Sequence, residues 1–209
     1  MSSVAEALHA AFGSDSDEAT FVRSDAVPGL VHWPSFLSAS EQAAALSAFD
    51  NAGWLGGGRN QAMRFGADFA PGVHFLCNLI ERAASEHGLL PAELLSRQPL
   101  FNQLILNTYE PGDGLASHID LAAFADGIAS LSFGAACVFD FFNASSGVTH
   151  SILLRPGDLL LLAGAARFDW FHGIKATRVD LWQGRSLERG CRVSLTLRWM
   201  DCHELTQTA

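Results

Sequence analysis

The sequence predicts an α+β protein in which N-terminal helices pack on a β-rich second half. Two observations lead to this prediction. Two segments before residue 99 carry apolar residues at helical spacing, whereas from residue 100 onward short apolar runs are separated by Gly, Pro, Asn and Ser. About eight strands can be counted in this second half, a number typical of a sandwich or a jelly-roll barrel.

Composition places the chain among globular proteins with one domain. Its 209 residues are 49% hydrophobic and 17% charged, and no apolar run approaches the roughly 20 residues that cross a bilayer. The N-terminus lacks a basic region followed by an apolar one, so we expect a cytoplasmic or nuclear protein without membrane association. We expect an acidic, Ser-rich mobile segment over 1–20 and one domain over 21–209, with helices and a lid over 21–99 and the β-rich core over 100–200.

The elements of the N-terminal part follow from local signals. "PGLVHWPSFLS" reads as extended, and "SASEQAAALSAFDNAG" as a helix that begins with a capping box formed by Ser38 and Glu41 and stops near Gly53. "WLGGGRNQAMRFGADF" is rich in Gly and predicts loops or a hairpin. "GVHFLCNLIERAASEHG" predicts a second helix that ends at Gly88.

The second half is read as strands, of which the last is the clearest. "FNQLILNTY", "IASLSFGAACVFDFF", "THSILLR" and "DLLLLAG" are short apolar runs, and "CRVSLTLRWM" alternates strictly. In a strand, residues two apart share a face, so one face carries Arg192, Ser194, Thr196 and Arg198. Solvent could cover that face; alternatively, two arginines in a barrel interior would bind a dicarboxylate through bidentate hydrogen bonds.

"YEPGDGLASHIDLAAF" contains His118 and Asp120, which alone would be an ordinary chance pair. A mononuclear non-haem iron site needs two imidazoles and one carboxylate on one face of the metal. His172, in "ARFDWFHGI", follows an apolar strand and a Gly/Ala-rich turn, and is the obvious third ligand. A hydrogen-bonded core histidine is the alternative at that position.

Taken in order, these motifs resemble the AlkB family of Fe(II)/2-oxoglutarate dioxygenases. "NTYEPGDGLASHID" is similar to the family's Asn-x-Tyr-x-x-Gly followed by His-x-Asp, "ARFDWFHGI" to its distal-ligand segment, and "RVSLTLR" to its closing pair of arginines. "GGGRNQAMRFG" is loosely similar to the substrate-recognition lid. The resemblance implies a double-stranded β-helix (jelly-roll) core with the N-terminal helices packed on it.

The resemblance also implies roles for individual residues. His118, Asp120 and His172 would ligate Fe(II), with 2-oxoglutarate and O₂ as cosubstrates. Arg192, assisted by Tyr109, would bind the distal carboxylate of 2-oxoglutarate, and Arg198 and Asn107 would lie toward its metal-chelating end. Ser194 stands where the family commonly has Asn, and its shorter side chain makes that contact with 2-oxoglutarate an open question.

The substrate is less well defined by the sequence. The resemblance implies oxidative demethylation or hydroxylation of a methylated base, which must be flipped or single-stranded to reach the metal. Candidate substrate contacts are Trp54, Arg59, Gln61, Arg64, Phe65 and Trp170, which interleave Arg with aromatic residues as stacking surfaces do. The alternative is that Trp54, Phe65 and Trp170 only anchor the core or a loop.

Charge bears on the choice of substrate. The net charge of −9 opposes tight nonspecific binding to duplex DNA and, with the block "FADGIASLSFG", favours RNA or single-stranded DNA. Ala122 stands where some base-repair members have an acidic residue. Two alternatives stay open: the same chemistry on a protein or other non-nucleic substrate, and a non-catalytic binding module on this scaffold. The sequence does not define an oligomeric state.

Overall fold

The computed structural model describes residues 21–55, 61–66 and 69–201. The expected mobile segment 1–20 lies outside the described residues, as does Arg59. The described helices are α1 (Ala39–Asn51), α2 (Pro71–Glu86), α3 (Ala92–Leu95) and α4 (Ala165–Phe168). The described strands are β1 (Val22–Arg23), β2 (Leu30–Trp33), β3 (Gln61–Phe65), β4 (Gln103–Tyr109), β5 (Leu115–His118), β6 (Ile128–Gly134), β7 (Cys137–Phe142), β8 (Thr149–Leu154), β9 (Leu159–Leu162), β10 (Phe171–Ile174), β11 (Val179–Trp182), β12 (Arg185–Glu188) and β13 (Arg192–Arg198).

The strands form two facing antiparallel sheets and a separate hairpin. The larger sheet has the order β1-β2-β9-β6-β13-β4-β3, the smaller one β5-β10-β7-β8, and β11 pairs with β12 alone. One apolar cluster joins the two sheets and another joins the larger sheet to α1, α2 and α3. The fold is therefore the predicted double-stranded β-helix with helices packed on one face, and structural neighbours described below share it.

The two apolar clusters explain the two hydrophobic patterns of the strands. Leu159 and Leu161 of β9 face the helices, whereas Leu160 and Leu162 face the smaller sheet, so a strand buried on both sides reads as an unbroken apolar run. On β13, Val193, Leu195 and Leu197 face the helices, leaving the polar alternate residues for the space between the sheets.

The helix signals are confirmed at residue level. Ser38 accepts a hydrogen bond from the Glu41 amide at 3.3 Å, and the Glu41 carboxylate accepts one from the Ser38 amide at 2.7 Å, which completes the capping box of α1. Gly53 and Gly88, with φ values of +68° and +58°, follow the ends of α1 and α2 in the left-handed conformation that favours glycine.

The interpretation of residues 54–69 as loops or a hairpin was wrong in one respect. Gln61–Phe65 forms β3, which pairs with β4 at the edge of the larger sheet instead of folding on itself. Its partner lies about forty residues further along the chain, so no local turn signal reveals the pairing. The strand count was also low, because the hairpin of β11 and β12 brings the described strands after residue 100 to ten.

None of the helices in the described residues combines the length and hydropathy that a bilayer crossing requires. Cys77, Cys137 and Cys191 are free thiols, and Cys202 lies outside the described residues. Burial raises the pKa of Cys77 to about 12, so this thiol stays protonated near neutral pH.

Candidate metal and cosubstrate site

His118, Asp120 and His172 meet at one end of the space between the sheets. His118 ends β5, Asp120 follows in the next turn, and His172 lies directly opposite His118 in the pairing of β10 with β5. One ligand atom from each of the three lies within 4.8 Å of those of the other two. His172 Nε2 is 3.5 Å from Asp120 Oδ2. The distal histidine is therefore next to the His-x-Asp pair.

Local contacts orient the two imidazoles. His118 Nδ1 lies 2.9 Å from the Ala116 carbonyl oxygen, to which it donates in the tautomer that leaves Nε2 free for a metal. The Phe139 ring stacks on the His172 ring with a centroid distance of 5.8 Å. Gly173 allows the close approach of β10 to β5, because a Cβ there would lie 2.7 Å from the Leu115 carbonyl oxygen. This contact explains why glycine follows the distal histidine.

The electrostatics of the three side chains suit a cation. Burial lowers the pKa of His172 to about 4, while the adjacent Asp120 carboxylate acts in the opposite direction. The imidazole is therefore neutral near pH 7, as a metal ligand must be. Asp120 is 7% exposed, and its Oδ1 forms an ion pair of 2.8 Å with Arg198 Nη2. Two imidazoles and one carboxylate are the donor set of non-haem Fe(II) oxygenases, so the residues fit this metal.

A cavity of about 200 Å³ extends from these three residues between the two sheets. Its wall includes the predicted cosubstrate residues Asn107, Tyr109, Arg192, Ser194 and Arg198. The polar face of β13 thus lines the cavity, and the solvent-exposed alternative for that face is wrong for Arg192, which is 3% exposed.

Arg192 lies toward the end of the cavity away from the histidines. Its Nη2 donates to Ser132 Oγ at 3.0 Å, and its guanidinium lies 5.3 Å from the centroid of the Tyr109 ring. Among the described residues no carboxylate forms an ion pair with it. A buried guanidinium without a protein anion is suited to bind the carboxylate of a ligand.

Two hydroxyl residues near this wall were not anticipated from the sequence. Ser132 of β6 lies opposite Ser194 of β13, and Ser130 lines the cavity opposite Thr196. Their side chains could only be assigned to the interior once the register of β6 was known, because "IASLSFG" alternates too weakly to define a polar face.

The predicted substrate residues divide between two faces of β3. Gln61 lines the cavity, and its Nε2 donates to Asn107 Oδ1 at 2.9 Å. Phe65 shares that face because it lies four residues further along the strand, and it is 50% exposed. Met63, between them, is 38% exposed and was missed because an isolated methionine carries no motif. Arg64 is on the other face, with its guanidinium 5.2 Å from the centroid of the Trp54 ring.

The two predicted tryptophans are buried. Trp54 is 8% exposed and stacks on Phe49 at a centroid distance of 6.1 Å. Trp170 is 5% exposed and belongs to the apolar cluster between the sheets. Neither lines the cavity, so their role in substrate binding stays a prediction without a contact to support it. Arg59, as noted above, is not among the described residues.

Comparison with known sequences identifies related proteins. A family described as the 2OG-Fe(II) oxygenase superfamily matches residues 64–198. A protein of Arabidopsis thaliana named "Alkylated DNA repair protein ALKBH8 homolog" is 29% identical over 208 residues, covering 85% of this chain and 60% of the relative. A Mus musculus protein named "tRNA (carboxymethyluridine(34)-5-O)-methyltransferase ALKBH8" is 42% identical over 90 residues, covering 43% of this chain and 13% of the relative. The chain therefore spans less than two thirds of either relative.

Solved structures share the fold at low sequence identity. The structure of OsALKBH1 superposes with a TM-score of 0.59 at 18% identity and covers 82% of this chain and 97% of that one. A prolyl-4-hydroxylase from Pseudomonas putida superposes with a TM-score of 0.52 at 19% identity and covers 83% and 94%. These neighbours confirm the jelly-roll architecture, and the named relatives confirm the resemblance to AlkB homologues.

Proposed function

The chain belongs to the 2OG-Fe(II) oxygenase superfamily, and we propose that it is a dioxygenase of AlkB type that demethylates bases of RNA or other single-stranded nucleic acid. The observation that carries the proposal is the juxtaposition in one cavity of a His-Asp-His cluster with a buried arginine that has no ion-pair partner among the described residues. The cluster would hold Fe(II), and the arginine would hold 2-oxoglutarate.

Each group in the cavity has a defined part in this proposal. His118, Asp120 and His172 bind Fe(II), and Arg192 binds the distal carboxylate of 2-oxoglutarate. Arg198 orients the Asp120 carboxylate through their 2.8 Å ion pair. When bound, Fe(II) and 2-oxoglutarate supply the activation of O₂ that inserts one oxygen atom into a C–H bond, with succinate and CO₂ as coproducts.

The walls of the cavity exclude water from the reaction. Phe139, Leu115, Ile128 and Leu162 line it together with the polar residues, which strengthens every electrostatic contact inside. A methyl group on a base nitrogen, once hydroxylated, leaves as formaldehyde and restores the unmodified base.

The choice of a single-stranded substrate is supported by β3. Phe65 and Met63 present exposed apolar side chains on the same face as Gln61, which lies at the cavity. An exposed aromatic ring beside the site is suited to stack on an unpaired base. The net charge of −9 disfavours binding that depends on phosphate contacts along a duplex. The names of the Arabidopsis and mouse relatives refer to DNA repair and tRNA modification, respectively.

The test is a panel of oligonucleotides that carry one methylated base each, as single-stranded RNA, single-stranded DNA and duplex. The oligonucleotides are incubated with Fe(II), 2-oxoglutarate and O₂ and analysed by mass spectrometry. We expect loss of one methyl group and release of formaldehyde from single strands, and none with the Asp120→Ala protein. Methyl loss from methylated peptides but from no oligonucleotide would replace nucleic acid with protein as the substrate. Absence of succinate formation under all conditions would refute catalysis.

A further inference from the structure

Arg167 is the largest fully buried side chain among the described residues, with 1% of its surface exposed. It lies on α4, five residues before His172. Its guanidinium donates to three main-chain carbonyls of the turn that follows the His-x-Asp pair: Nη1 to Asp120 O at 3.2 Å, and Nη2 to Leu121 O at 2.8 Å and Phe124 O at 2.7 Å. One side chain therefore fixes the backbone on both sides of residues 122 and 123.

A buried guanidinium at this position carries a desolvation cost that its partners offset only in part. Among the described residues Arg167 forms no ion pair, and its Nε has no hydrogen-bond partner. Burying a charge without an ion pair costs free energy, so an arginine here is expected to make contacts that an apolar side chain could not make. The cation is better explained by what its three hydrogen bonds hold in place.

We propose that Arg167 is a positioning residue for Asp120, an inference that rests on the metal site of the proposed function. Asp120 is held by two arginines at its two ends: Arg167 binds its main-chain carbonyl and Arg198 binds its carboxylate. With the backbone fixed, Oδ2 faces His172 at 3.5 Å while Oδ1 faces Arg198. Without Arg167 the turn can relax, and the carboxylate can rotate away from the two histidines.

The position of Arg167 in the chain links the two halves of the site. β10 supplies His172, and α4, immediately before it, supplies the side chain that fixes Asp120. One segment, 165–174, thus delivers one ligand and orients another that lies almost fifty residues earlier in the chain. A contact outside the ligand set that orients a ligand commonly changes metal affinity by one to two orders of magnitude when it is removed.

The experiment compares Co(II) affinity of four purified proteins by anaerobic titration of visible absorption, with circular dichroism as a check on folding. We expect Arg167→Met to bind Co(II) about 10- to 100-fold more weakly than the wild type while keeping its secondary structure. The matched control is Arg97→Met, because Arg97 Nη1 also donates to a carbonyl of the same connecting segment, that of Asp126 at 2.6 Å, but does not contact Asp120. Its affinity should stay within about twofold of wild type.

The Asp120→Ala variant distinguishes a failure of the positioning role of Arg167 from a failure of the metal site. If Asp120→Ala weakens Co(II) binding and Arg167→Met does not, the positioning role is refuted while the metal site stands. If Asp120→Ala binds Co(II) as the wild type does, the metal site itself is refuted. An equal loss in Arg97→Met and Arg167→Met also refutes the inference, because the effect would then be general to the segment.

Arg167→Lys gives a second measurement should Arg167→Met fail to fold. Lysine keeps the charge but cannot reach three carbonyls with a rigid fork. We expect a folded protein with an intermediate loss of Co(II) affinity, about 3- to 30-fold. Wild-type affinity in Arg167→Lys would overturn the inference.

Discussion

Replacing Arg192 with Met should remove the selectivity of the site for a dicarboxylate. Arg192 is buried and, among the described residues, has no ion-pair partner, so in the proposed complex its guanidinium is the counter-charge for the distal carboxylate. Removing one partner of a buried ion pair costs about 3–5 kcal/mol, which corresponds to a loss of affinity for 2-oxoglutarate of roughly 200- to 5,000-fold.

A second ligand makes this prediction specific. 2-Oxopentanoate has the same chain length and the same chelating 2-oxo acid but lacks the distal carboxylate. The dissociation constants of both acids would be measured in the presence of Mn(II) without O₂, for the wild type and for Arg192→Met. The wild type should prefer 2-oxoglutarate by two orders of magnitude or more, and the variant should bind the two acids nearly equally.

The controls distinguish a lost contact from a damaged fold. Arg185 is exposed on the hairpin, so Arg185→Met should keep the wild-type preference. Arg192→Met should have a melting temperature equal to or above that of the wild type, because an apolar side chain replaces a buried charge without an ion pair. A variant that still prefers 2-oxoglutarate strongly would show that another group binds the distal carboxylate, and the orientation of the cosubstrate proposed above would be refuted.

Three further predictions follow from the same site. Asp120→Ala should abolish 2-oxoglutarate turnover, measured as succinate, with an unchanged circular dichroism spectrum; retained turnover would contradict the ligand assignment. In metal-free protein the unfolding free energy should fall as pH decreases from about 6.5 to about 4, by up to about 1.4 kcal/mol per pH unit, because the unfolded chain binds a proton that buried His172 excludes. The unfolding free energy of His172→Gln, measured by urea titration at each pH, should depend less on pH than that of the wild type. An identical pH dependence would assign the effect to other groups. Phe65→Ser should raise the KM for a methylated oligonucleotide about 5- to 150-fold if the ring stacks on a base, whereas Val22→Ser, an exposed apolar residue on the opposite edge strand, should not.

The parts of the site that could be predicted from sequence are those encoded in short stretches. His118 and Asp120 are separated by a single residue, and the polar face of β13 is visible in a strict alternation of seven residues. The capping box of α1 is equally local. Each of these depends on the backbone conformation of one element, which neighbouring residues determine.

The parts that could not be predicted depend on pairing between distant segments. β3 becomes a strand because β4 offers it a hydrogen-bonding edge, and Gln61 reaches Asn107 only in that register. Trp54 and Trp170 were proposed as substrate contacts from the lid-like segment and from the position beside His172, and this stays a prediction, because a tryptophan in a core and one in a binding site look alike in sequence. Arg167 was not identified from the sequence because its three partners are main-chain carbonyls. Every residue has such a carbonyl, so the residue types in the turn do not reveal the contact.

Because β3 is an edge strand of the larger sheet, some of the residues proposed for the substrate lie on a different kind of strand from those proposed for the cosubstrate. β13, with a partner on each side, carries three of the residues proposed for the cosubstrate, whereas β3 is hydrogen-bonded on one side to β4 and carries three of the residues proposed for the substrate. Amides of such an outer strand open without disturbing the interior, so hydrogen exchange should be faster in β3 than in β13. Substitutions among the five residues of β3 can therefore change the substrate preference, while the residues of β13 proposed to bind the cosubstrate stay the same.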